Sequence, residues 1–240
     1  MRHVVISSAG RTHPGRRAIN EDAILARDDL GIWAVADGMG GDRGGIWASA
    51  TVVETLARLA TQAVDQVDAL DRALAAGNAE IVLAATRSGM TMGSTVAALL
   101  FDGQRISGIW VGDSRVYRRR RGRLDLLTHD HSLVQDLVDR GALTVEESRS
   151  HGLAHRLSRS VGVNVKLQPG SFGTSAEPED MYLICSDGLS DIVTEMEIAD
   201  RLSTADPSGA ADALLRLALD RGAPDNVSAV VVRIALAPPG

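Results

Sequence analysis

The chain has 240 residues, 45% of them apolar, a formal net charge of −6 and one cysteine. This length and apolar content imply a single globular domain over residues 1–240 with a proper core rather than a disordered chain. The acidic balance argues against a nucleic-acid partner, no apolar run reaches the roughly 20 residues of a membrane span, and one cysteine permits no internal disulfide. The start, MRHVVISSAGRTHPGRR, lacks an apolar run of secretory length, so a cytoplasmic location is expected.

In chain order, His3–Ser7 reads as a short strand followed by a loop, GRTHPGRR, punctuated by Gly and Pro. Ile24–Ala26 and Ile32–Ala36 are predicted strands joined by a turn at Asp28–Gly31. Trp47–Ala63 and Val67–Ala85 are Ala-rich with apolar residues at helical spacing, which predicts two helices. The period then changes: Ser94–Phe101, Gln104–Val111 and Val116–Arg120 are short and β-branched, with turns at Asp102–Gly103 and Gly112–Asp113. Helices are predicted at His131–Arg140 and Thr144–Ser148, the second opened by a capping box of Thr144 and Glu147. The polar stretch Gly152–Ser175 holds one expected strand near Val165–Phe172. Met181–Cys185 is a predicted strand, Thr194–Leu202 and Pro207–Arg221 are amphipathic helices, and Val227–Ala235 is a closing strand. Strands and helices come in groups, which favours antiparallel sheets covered by helices over a doubly wound parallel sheet.

Four acids share one context. Asp37 ends AVAD, Asp113 ends IWVGD, Asp187 ends LICSD, and Asp225 sits in APDN just before the last strand. A lone Asp-Gly at a strand end is ordinarily a turn. Several carboxylates at the ends of buried strands are costly unless paired or bound to metal, and such strand ends can converge on one point. No Lys or Arg adjoins Asp37, Asp187 or Asp225, so a hard divalent cation, Mg²⁺ or Mn²⁺, is the expected partner. Zinc is disfavoured, because Cys185 lies in a strand and no His–His or Cys–Cys spacing accompanies it. The glycines after Asp37 let backbone approach an ion or phosphate closely. Two hard metals about 4 Å apart activate a water and clamp an oxyanion under in-line attack, chemistry used most on phosphate esters. Arg16 or Arg17 of RRAINED would serve the phosphate oxygens as a bidentate fork.

Together these residues resemble the protein phosphatase 2C family of metal-dependent Ser/Thr phosphatases, in its compact bacterial form. The resemblance runs through RAINED, VADGMGG, GSTV, WVGDSRVYR, LTHDHSLVQDLVDRGALT, LICSDGLSD and APDNVSAVVV, nearly the whole chain and in the family's order. It implies an α+β fold, a four-layer αββα sandwich of two antiparallel β-sheets flanked by helices, with two Mn²⁺ or Mg²⁺ ions at one end and a weaker third. By that resemblance Asp37 bridges two metals, the Gly38 carbonyl ligates the second, and Asp187 and Asp225 complete the first. Glu21 and Asp22 match acids that hold metal-bound waters, Arg17 matches the phosphate-binding arginine, and Asp113 and Asp191 match ligands of the third metal. Asn226 matches the residue that orients the Asp225 loop.

The implied function is hydrolysis of phosphoserine and phosphothreonine in phosphorylated proteins by a metal-bridging water, reversing a Ser/Thr kinase, with the chain a monomer. The alternative of another class is a non-catalytic phosphoprotein-binding regulatory domain of the same fold. Two departures from the family pattern are present: Asp42 replaces the His that usually follows DGMGG, and the flap segment, about 141–164, reads HGLAHRLSRSVG where relatives read HPxRNxLTRALG.

Other readings are weaker. Ser114 would need a general-base His near the C-terminus, yet the last histidine is His155. Cys185 would need an arginine at the position that Asp191 occupies. YRRRRGR, Tyr117–Arg123, is expected as a solvated hairpin edge, and HDHSL as a structural lead into a helix.

Overall fold

The computed structural model describes residues 4–59, 66–149, 151–203 and 206–236. In chain order the strands β1 (Val4–His13), β2 (Asp22–Arg27) and β3 (Ile32–Met39) lead into helices α1 (Asp42–Ala57) and α2 (Gln66–Ser88). Five strands follow: β4 (Gly93–Ser94), β5 (Val96–Phe101), β6 (Arg105–Val111), β7 (Arg115–Arg120) and β8 (Arg123–Leu126). Next come α3 (Leu133–Asp139), α4 (Val145–Arg149), β9 (Gly170–Ser175) and β10 (Met181–Cys185). The chain closes with α5 (Asp187–Ser190), α6 (Glu195–Arg201), α7 (Pro207–Asp220) and β11 (Val227–Leu236).

The strands form two antiparallel sheets. One is five-stranded in the order β1-β11-β10-β7-β8; the other is six-stranded, in the order β2-β3-β5-β6-β9 with β4 paired to β3. Strand alternation sorts β3 into two cores. Ile32, Ala34 and Ala36 face α1 and α2, where they meet Val52, Leu56, Leu70 and Leu74. Trp33 and Val35 face the other sheet and meet Val116, Tyr182, Ile184, Val230 and Val232. On the far side, Leu183, Cys185 and Val231 pack under α6 and α7 against Ile198, Ala211 and Leu214. Three apolar layers thus separate four structural ones, the expected αββα sandwich.

Several element boundaries differ from the sequence reading. GRTH is strand, not loop, because β1 pairs with β11 along its whole length, from Val4↔Leu236 to His13↔Val227. Gly10 fits there since an added Cβ would sit 2.8 Å from Ile24 Cδ1. The strand expected near Val165 starts later, at Gly170. Asn78 on α2 explains this: its Nδ2 donates to the Asn164 and Val165 carbonyls, and its Oδ1 accepts from Gly162 N–H. Those backbone groups are satisfied by a helix side chain instead of a ladder. The capping box is present, with Glu147 N–H donating to Thr144 Oγ1 and Thr144 N–H to Glu147 Oε2. Ser132 caps α3, accepting from Gln135 N–H, so HDHSL does lead into a helix. His3 and residues 60–63 of the predicted first helix lie outside the described residues.

The arginine run is not a solvated edge. Arg118 and Arg123 pair with Asp125, Arg120 with Asp180 and Glu177, and Arg121 with Glu177. Among the described residues, no helix is long and apolar enough to cross a membrane.

Candidate metal centre

The layer between the sheets ends in polar residues. Alternation along β2, β3, β10 and β11 carries the facing of Ile24, Val35, Ile184 and Val230 onward to Asp22, Asp37, Ser186 and Ser228. Asp22 Oδ2 accepts from Ser186 Oγ at 2.9 Å and Ser228 Oγ at 2.6 Å, and Ser228 Oγ also bonds Thr12. Asp22 lies directly opposite Asp37 in the β2–β3 register. Like charges so placed are unfavourable in a sheet. Asp37's own backbone is held rigidly: its N–H donates to Thr95 Oγ1, and its carbonyl accepts from Thr95 N–H and Ser94 Oγ.

Asp187 joins this pair from the first residue of α5, near enough that the Asp37 and Asp187 carboxyls bias each other's protonation. Neighbouring carboxylates repel unless a proton or a cation comes between them. Burial, then the charges of Asp22, Asp187 and Asp113, push the Asp37 carboxyl well above its ordinary value. Asp187 is raised as well, by burial and the Asp225 charge against the opposing effect of Asp37. Burial pushes Asp22 up to about 6, partly offset by its two serine donors. Asp113, in the turn after β6, is raised well above the ordinary range by burial and by Asp187, Asp130 and Asp191. Asp191, the C-cap of α5, is pushed up to about 6 by burial and Asp187.

Asp225 stands beside these acids in the loop before β11, where Arg17 Nη2 donates to its Oδ2 at 2.8 Å. The bond to Asp225 raises the Arg17 guanidinium, helped by Glu21 and Asp187. Arg16, the alternative arginine, instead lies against Gly222 and bonds Ala223 through its backbone. Buried Asn226 staples the two loops together. Its Oδ1 accepts from Glu21 N–H, and its Nδ2 donates to the carbonyls of Pro14 and Ile19. Glycines bring the backbone in close: a Cβ on Gly38 would lie 2.2 Å from the Gly45 carbonyl, and one on Gly45 would lie 2.3 Å from Glu21 Oε1.

All the acids read from the sequence therefore collect at one end of the sandwich. Ser186, Ser228, Thr95 and Thr12 were not among them, though extending the strand alternation one step past the apolar runs points to Ser186 and Ser228. Also unforeseen is Arg115, which forks onto Asp130 through Nε and Nη2. This pair lines an open basin of about 640 Å³ together with Asp113, His155, Asp187 and Asp191. Asp42 begins α1, and its side chain lies outside those described.

The donor set fits hard divalent cations. It is all oxygen, its carboxylates are held close together against their repulsion, and Asp22 Oδ1 and Asp187 Oδ1 are buried with no hydrogen-bond partner.

This two-sheet αββα sandwich, with its carboxylate centre at one end, is the architecture of solved proteins of the phosphatase 2C-like fold. The comparisons make it specific: residues 9–220 match the family described as protein phosphatase 2C, and the chain belongs to that family. It is 38% identical to the serine/threonine protein phosphatase PstP of Mycobacterium tuberculosis over 96% of this chain, but spans only 45% of that relative. Among solved structures, it superposes with a TM-score of 0.89 on PppA, a key regulatory component of T6SS in Pseudomonas aeruginosa. That protein is 39% identical, with 96% of this chain and 98% of the other covered. The catalytic domain of PstP in complex with two manganese ions gives 0.89 at 38% identity, covering 97% and 99%.

Proposed function

We propose that the chain is a divalent-metal-dependent phosphatase that removes phosphate from phosphoserine and phosphothreonine in proteins, the reverse of a Ser/Thr kinase reaction. The observation that carries this reading is the gathering of acids at one end of the sandwich, with Asp22 opposite Asp37 and with Asp22 Oδ1 and Asp187 Oδ1 shut off from solvent and without a hydrogen-bond partner. In it, Asp37, the Gly38 carbonyl, Asp187 and Asp225 hold two Mn²⁺ or Mg²⁺ ions. Asp113 and Asp191 serve a third, and Glu21 and Asp22 hold the surrounding waters. Bound there, the ions supply Lewis acidity: an acidified water for in-line attack and neutralisation of the phosphoryl oxygens.

The chain's own residues do the rest. Arg17, paired with Asp225 and more than half exposed, is the cation placed to orient a phosphate. Asn226 keeps the Arg17 loop and the Asp225 loop in fixed relation. Chain residues 141–164 form a flap beside the basin, within one catalytic domain over 1–240. The two manganese ions bound by the 38%-identical PstP catalytic domain support the metal class, and the intact acid set supports catalysis over mere phosphoprotein binding. The test is phosphate release from a phosphothreonine peptide: it should require Mn²⁺ or Mg²⁺, stop with EDTA, and be lost in Asp37→Asn. Near-wild-type turnover by Asp37→Asn at saturating metal would overturn the assignment.

A further inference from the structure

His155 stands where the family pattern has Asn, on the segment 151–157 beside the basin. Its ring is not on a loose loop. Ala154 N–H donates to His151 O, Arg156 N–H to Leu153 O, and Leu133 N–H at the start of α3 to Arg156 O. One residue further, Leu157 bridges Ser132. The backbone on both sides of His155 is thereby tied to α3.

The ring faces Asp191, with Nδ1 3.8 Å from Oδ2. That is too long for a hydrogen bond. One ligand atom each from His155, Asp187 and Asp191 lie within 4.8 Å of one another. For metal–ligand bonds of about 2.1 Å, neighbouring ligands lie about 3 Å apart and opposed ones about 4.2 Å. A single small cation is therefore accommodated by side-chain movements of less than about 1 Å. A second observation points to a ligand. Ser190 Oγ, which lines the same basin, is shut off from solvent with no hydrogen-bond partner. An exposed His–Asp ion pair alone would leave this hydroxyl unexplained.

We propose that His155 is a nitrogen ligand of the outer metal position, acting with Asp187 and Asp191, and that it makes this position select first-row transition ions over Mg²⁺. An imidazole nitrogen adds affinity for first-row transition ions, least for Mn²⁺ and more along the series, whereas Mg²⁺ keeps oxygen and water ligands. An Asn at 155 would offer oxygen only. The proposal rests on the metal-phosphatase reading above and shares Asp187 with the core site, but its new ligand, His155, is one that the core ions do not use.

The test is a Mn²⁺ titration of the full chain, counting bound ions by electron paramagnetic resonance, with pulsed spectra read for ¹⁴N coupling. Wild type should bind a third, weaker Mn²⁺ that shows nitrogen coupling. His155→Asn should lose that coupling and bind the third ion at least tenfold more weakly. Its Mg²⁺ affinity at that position should stay the same, and circular dichroism and melting should report an intact fold for this exposed substitution. Nitrogen coupling that persists in His155→Asn, unchanged third-ion affinity, or two bound ions and no third in wild type would each overturn it while leaving the phosphatase reading intact. Failure to bind any Mn²⁺, together with no phosphopeptide hydrolysis, would overturn both.

Discussion

Replacing Asp22 with Asn should stabilise the metal-free protein while weakening its response to metal. In the folded chain the Asp22 carboxyl is pushed from its ordinary 3.8 up to about 6, because burial beside Asp187 and Asp225 outweighs its bonds from Ser228 and Ser186. Each pH unit between the folded and unfolded carboxyl is worth about 1.4 kcal/mol, so ionised Asp22 costs the fold about 3 kcal/mol. The sign follows from the direction of the rise. The cost is fully present above pH 6, shrinks as pH falls, and is gone below about 4, where Asp22 is protonated in both states. Asn removes the charge but sets an N–H₂ where Oδ1 has no hydrogen-bond partner, a loss of about 1–2 kcal/mol. The net is a gain of about 1–2 kcal/mol at pH 7.5, or roughly 2–8 °C in Tm for a domain of this size. Thermal melts in EDTA at pH 7.5 and pH 4.5 read this directly: Asp22→Asn should melt higher than wild type at the first and no higher at the second. Added Mn²⁺ should then raise wild type more than the variant, about 2.7 kcal/mol being expected at a hundredfold excess over the dissociation constant. An Asp22→Asn protein that melts lower than wild type by the same margin at both pH values would refute the idea of a carboxylate held against its own ionisation.

Arg17→Ala should cut kcat/KM on a phosphopeptide about 10- to 100-fold, the worth of a charge-assisted bond to phosphate, while isothermal titration finds the core metal stoichiometry unchanged. Asn226→Ala orphans Glu21 N–H and the carbonyls of Pro14 and Ile19, so chemical denaturation should show a loss of roughly 2–4 kcal/mol with activity falling at the same time. Gly38→Ala drives a methyl to 2.2 Å from the Gly45 carbonyl, and both Mn²⁺ affinity by titration and Tm should fall; an unperturbed variant would mean this backbone approach is not needed.

Asp37, Asp187, Asp113 and Asp225 were legible because each sits beside its own apolar strand, so the clue is local. Arg17 over Arg16 came from family resemblance, and the structure supplies the physical reason: only the Arg17 fork reaches Asp225. What could not be read is what depends on pairing between distant segments. Gly10–His13 carries turn-forming residues, and only the full ladder with β11 makes it strand. Asn78 on a helix, with no local mark of importance, sets where β9 can begin by taking the carbonyls before it. Four-residue α5 is too short for any helical period to register, yet it delivers Asp187 and Asp191 to the same basin.

The register also explains how so unfavourable a cluster is held. Asp22 opposite Asp37 is a repulsive pair in any isolated hairpin, but here β2 and β3 are fixed by residues that ignore the acids. Trp33, Val35 and Ile24 are packed in the layer between the sheets, and Ile32, Ala34 and Leu25 against the helices on the other face. A one-residue slip to separate the carboxylates would turn both apolar sets to the wrong side. The cost of a slip, several buried side chains at about 1.5–3 kcal/mol each, exceeds the repulsion of one carboxylate pair. The serines at 186 and 228 then reduce that repulsion without neutralising it, which leaves the acids close together, short of partners and ready for a cation.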